Sequence, residues 1–172
     1  MMHSANAKST LVLFSSLLLL LSSVISSYAS QGVMHVQPEI AQSLLIMVGM
    51  ETEIVELNRG DGFDRTLNLG SLQGNSLSIG FPTTGISRGV PFLLTVEGEE
   101  VIVALTEDGV LEVLDGDASA VPLSIFDAVE CLLDTLVELV RDIIESNLNI
   151  FRIVGLVINA VFRILGCIVS II

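Results

Sequence analysis

Tryptophan is absent from this chain, and lysine and tyrosine occur once each, at Lys8 and Tyr28. Both of those, and His3 of the two histidines, lie within the first 29 residues. This segment reads as a secretory signal peptide. Lys8 makes a basic start, residues 11–21 form an apolar core shorter than the ~20 residues a span needs, and Ser27 and Ala29 place small side chains before a cut after Ala29. The expected mature chain therefore keeps one histidine, His35, and no lysine, tyrosine or tryptophan.

These absences narrow the chemistry. General acid–base work falls to carboxylates or to His35, and no Gly-x-Ser-x-Gly nucleophile motif occurs. The usual amphipathic stacking surfaces for sugars are missing, and no carboxylate pair stands out among the acids as a glycoside-cleaving couple. A non-enzymatic protein is expected, with a carboxylate-based hydrolase as the weaker alternative. No Asn-x-Ser/Thr acceptor for N-glycosylation is present.

Positive charge is also scarce. Beyond residue 29, six arginines face twenty acidic residues, a balance of −14 spread along the chain. Such a charge argues against nucleic acid and anionic membrane surfaces, and suits cations, basic proteins or simple solubility. One histidine and two cysteines supply zinc, copper and iron sites poorly, so no transition-metal site is expected. Oxygen ligands abound, which makes Ca2+ the plausible ion. The best calcium candidate is the turn Asn58, Asp61 and Asp64, whose glycines permit a tight loop but which lacks the helix–loop–helix pattern and its closing glutamate. A looser acidic cluster gathers Asp115, Asp117 and the turn carrying Glu97, Glu99 and Glu100. The first turn also contains Arg59, Gly60 and Asp61, a tripeptide resembling the one that integrin receptors read.

Cys131 and Cys167 are the only cysteines, each eighteen residues from Asn149 in the polar pivot Ser146–Asn149. Two apolar-periodic segments flank that pivot. As antiparallel helices they bring both sulfurs to one height, and helical phase at ~100° per residue turns the two side chains towards each other. A disulfide-closed helical hairpin follows, its structural bond worth about 3–4 kcal/mol in the chain-entropy model. Its first arm carries an acidic stripe, Asp127, Glu130, Asp134, Glu138, Arg141, Asp142 and Glu145, and its second a polar stripe of Arg152, Asn159, Arg163 and Ser170, with Gly155 and Gly166 lying along it. Both stripes are expected to face water.

The rest of the chain is read as β-rich. A short helix is expected at 39–48, strands at 51–57, 66–69 and 76–79, and a glycine-dense, loop-rich stretch between 60 and 89. A three-stranded meander at 92–114 puts Val101, Val103 and Leu105 on one face, for the hairpin to cover. Ser124 and Asp127 suggest a capped start to the first arm. The fold expected is α+β: residues 1–29 a signal peptide, 30–123 a small glycine-rich antiparallel β region, and 124–172 a C-terminal antiparallel helical hairpin closing the same domain.

The second arm is apolar enough to question. Thirteen Ile, Leu, Val and Phe residues in 153–172 favour insertion by about 5 kcal/mol, and a central Arg163 opposes it by about 3. A secreted, acidic structural or interaction protein is the leading expectation, an extracellular matrix component meeting a protein, cation or mineral surface. The alternative is a membrane-associated protein acting through residues 150–172. A homodimer follows if the β region leaves that arm uncovered.

Overall fold

Alternating apolar and polar residues build six strands: β1 (Glu53–Glu56), β2 (Arg65–Leu72), β3 (Asn75–Phe81), β4 (Phe92–Val96), β5 (Glu99–Leu105) and β6 (Leu111–Asp115). They form one antiparallel sheet in sequential order. The helices that accompany it include α1 (Pro38–Met47), α2 (Leu123–Glu145) and α3 (Ile150–Val169). The computed structural model describes residues 35–169 except Gln73 and Leu148, together with Val12, Ser15, Ser16, residues 18–21, Ser23, Val24 and Ser27.

The fold is α+β, as the sequence indicates, and the expected meander is β4–β6. It is only half of the sheet. The strands expected at 66–69 and 76–79 are β2 and β3, both longer than the alternation alone marks and running through the glycine-dense stretch. Here the glycines serve the sheet. Gly70, at φ +68°, lies where the β2–β3 register shifts between Asn68 and Ser71, and Gly74, at φ +79°, turns the chain into β3. Gly80 lacks a Cβ because one there would stand 2.9 Å from the Leu93 Cβ.

Cross-strand register separates the two faces. Ile54, Leu67, Ile79, Leu94 and Val101 pair in one row facing inward, while Val55, Thr66, Gly80, Leu93, Ile102 and Asp115 pair in a row facing outward. The inner row is buried at Leu67, Ile79, Leu94 and Val101. The α1 helix lies against β1 and β2, and α2 against β5, so both cover that face. Val36 bridges to Ile86, tying the segment before α1 to the β3–β4 connection.

The hairpin forms as the spacing requires. Asn147 adopts a left-handed φ of +52° in the pivot, and the Asn149 side chain caps α3 by accepting from the Phe151 and Arg152 amides. The start of α2 differs from expectation. Pro122 holds the N-cap position and no side chain caps it; its carbonyl accepts from Ile125 and Phe126. Proline's fixed φ pre-sets the first turn there.

Leu21 is fully buried, and Leu18 and Val24 pack against the core. Lys8, Tyr28 and the expected cut after Ala29 lie outside the described residues.

Candidate functional site

The turn at 58–64 folds against the outer face of the sheet. Arg59 donates from Nη1 and Nη2 to the two Glu100 carboxylate oxygens, at 2.5 and 2.9 Å, and from Nε to Asp61 Oδ2 at 2.8 Å. Asp61 Oδ1 accepts from the Phe63 amide, and Asp64 Oδ1 from the Gly60 amide. The Phe63 amide holds the Asp61 carboxyl below the ordinary aspartate range, with Arg59 adding to the effect. Arg59 likewise lowers the Glu100 carboxyl, and both carboxylates raise the affinity of Arg59 for its proton. A depression of about 350 Å³ opens beside this group, floored by Phe63, Leu93 and Ile102.

This geometry bears on both sequence motifs in the turn. Within the tripeptide, Arg59 and Asp61 are bonded to each other, so a receptor would have to open that pair before reading it. The carboxylates of Asp61 and Asp64 turn onto the loop's own amides, and a calcium ion would compete with Arg59 for Asp61. Among the described residues, no three His, Cys, Asp or Glu side chains converge as a metal site. The second acidic cluster is likewise engaged locally. Asp117 accepts from the Ser119 hydroxyl and amide, which lower its pKa, Glu97 accepts from the Ser76 amide, and Asp115 from the Gly116 amide.

In the hairpin, Cys131 and Cys167 are joined, with their Cα atoms 5.8 Å apart. The acidic stripe of α2 is not simply turned to water. Glu130 accepts from the Leu111 amide at the start of β6, and Asp134 accepts from Arg88 Nη2 at 2.8 Å. Arg88 also donates to the Thr106 and Glu107 carbonyls, and its side chain is only 15% exposed. From the second arm, Arg163 Nη1 reaches Glu138 Oε2 at 2.5 Å and holds that carboxyl below the ordinary glutamate range. The middle of the stripe thus fastens α2 to the β5–β6 turn and to α3. Sequence periodicity placed these charges on one face, but it carried no sign of Arg88, which arrives from a distant loop.

All four described carboxyls with a clear shift, on Asp61, Glu100, Asp117 and Glu138, are moved downwards and held ionised. A general acid working near neutral pH needs the opposite shift.

The remaining feature is the outer face of α3. Ile153, Val157, Ala160, Ile164 and Cys167 are buried, which fixes the helix to the body. On the opposite side, Phe151, Ile158, Phe162 and Val169 are 88, 38, 68 and 67% exposed. At 100° per residue these four fall within a narrow arc, a ridge rather than scattered apolar residues. Arg152, Asn159 and Arg163 run along one flank. The helix has a mean hydropathy of 2.0 over its apolar window, with a third of that window buried, and is long and apolar enough to cross a membrane. No family model, curated protein or solved structure matches the chain.

Proposed function

We propose that the protein is a non-enzymatic, secreted interaction protein that associates peripherally with lipid surfaces through the outer ridge of α3. The observation carrying this reading is the exposure of Phe151, Ile158, Phe162 and Val169 on one side of a helix held rigidly from the other. Such a ridge, roughly 500 Å² of apolar surface, matches the largest patch on a typical monomer, a size that is often functional. Its transfer from water gains on the order of 10 kcal/mol gross, before the costs of immobilisation are deducted.

Lying on the surface suits this helix better than crossing it. The disulfide ties α3 to α2, whose outward side carries Asp127, Arg141 and Glu145, and Arg163 is engaged with Glu138. Spanning would drag those charges into hydrocarbon or break the hairpin. The balance of −14 beyond residue 29 selects zwitterionic over anionic lipid. Calcium or mineral contact through the dispersed acids, the leading expectation from composition, has less local support because many of those acids are engaged within the fold.

Flotation with phosphatidylcholine vesicles tests the proposal. The wild-type chain is expected to float, and a Phe151→Ser, Phe162→Ser double variant of unchanged melting temperature is expected to stay in the aqueous fraction. Wild-type protein that never floats refutes the lipid role.

A further inference from the structure

We infer that in water the α3 ridge is covered by a second copy of this chain, seated antiparallel, so that self-association and lipid binding compete for one surface. The inference rests on the ridge being the working surface. Phe151, Gly155, Ile158, Phe162, Leu165 and Val169 are separated by alternating steps of four and three residues, the spacing of a and d positions in a heptad seam. The seam spans about two and a half heptads; Phe151, Gly155, Ile158, Phe162 and Val169 are exposed along it, while Leu165 is half-buried at its edge against the core of its own chain.

The side chains along it are self-complementary in one direction. In antiparallel pairing centred on Ala160, Phe151 meets Val169 of the second copy, Gly155 meets Leu165, and Ile158 meets Phe162. Each large side chain then faces a smaller or equal one. Parallel pairing would instead set Phe151 on Phe151 and Gly155 on Gly155, which crowds one layer and leaves a void in another. The antiparallel arrangement is also isologous, the form a two-fold dimer requires.

Area supports the same occupant. Two ridges of roughly 500 Å² each remove about 1,000 Å² from water, the lower bound for a specific interface. Gly155 adds a discriminating detail. A Cβ placed there meets nothing of its own chain within 4 Å, so a larger residue is accommodated by the isolated fold. In the dimer that space belongs to Leu165 of the second copy.

Sedimentation velocity of the full-length secreted product across a concentration series, without lipid, tests the seam, and flotation on phosphatidylcholine vesicles is measured in parallel. A wild-type dimer is expected, with Phe162→Asp weakening it by about a hundredfold. Gly155→Leu is expected to weaken dimerisation by about tenfold through overpacking while strengthening vesicle binding, because it enlarges the apolar ridge. A wild-type monomer at every concentration overturns the inference even if vesicles still float it, and then lipid is the sole occupant. A dimer that does not float supports the seam and removes only the lipid reading. Dimerisation unaffected by Gly155→Leu overturns the antiparallel register.

Discussion

Arg88 Nη2 lies 2.8 Å from Asp134 Oδ1, joining the β3–β4 connection to the middle of α2. The same guanidinium donates to two carbonyls of the β5–β6 turn, so one largely buried side chain binds three parts of the fold. Replacing Arg88 with Met keeps its apolar stem but leaves Asp134 and both carbonyls short of a donor. A loss of about 2–3 kcal/mol is expected for charge-assisted bonds of this kind, measured by urea denaturation. Asp134→Asn, which retains an acceptor, is expected to cost less.

The Cys131–Cys167 bond closes a loop of 36 positions. Cys131→Ser with Cys167→Ser is expected to lower stability by about 3–4 kcal/mol. Peptide mapping without reduction checks the pairing itself, and two unlinked thiols in the native protein would contradict it.

Glu138 has its pKa lowered by Arg163, so the pair stabilises the hairpin fully above the ordinary glutamate value of about 4.3 and loses that contribution as pH falls through the lower folded value. Both side chains are partly exposed, which limits the effect to under about 1 kcal/mol. Thermal melts from pH 7 down to pH 3 should show the acid limb of the stability curve flattened in Glu138→Gln. An acid limb identical to wild type would show that the pair contributes nothing.

Leu21 is fully buried in the core although it lies in the segment that reads as a signal peptide. Removal of residues 1–29 uncovers the apolar surface it meets. A chain beginning at Ser30 is expected to be about 1.5–3 kcal/mol less stable than one retaining the segment through an Ala29→Leu change. It should also bind more of the dye ANS, which reports exposed apolar surface. Equal stability would mean that the Leu21 contact is incidental to the fold.

Local pattern made much of the architecture legible. The two cysteines, the pivot and the apolar phase gave the hairpin and its bond, and β-branched runs around short turns gave β4–β6. What sequence could not supply were contacts set by distant segments. Alternation showed the strands at 66–69 and 76–79, but their full extent was hidden, because the glycine density between 60 and 89 does not show that Gly70 and Gly74, both at φ > 0, serve the sheet. The engagement of Asp134 by Arg88 depends on packing across 46 positions. Nor could helical phase alone decide which apolar side of α3 would be buried, since both sides were Ile, Leu, Val and Phe.

Strictly sequential strand order has a consequence for how the molecule is made. Each strand can pair with the one just synthesised, so the sheet can grow by short loop closures, which are fast. Its inner face is covered at β1 and β2 by α1, which precedes the strands, but the β5 side must wait for α2, which follows all six strands in the chain. For that interval the nascent chain carries a sheet whose β5 side is apolar and uncovered, a state exposed to aggregation. The hairpin therefore acts as a closing step, and truncation within it should harm yield more than an equal loss anywhere in the strands' turns.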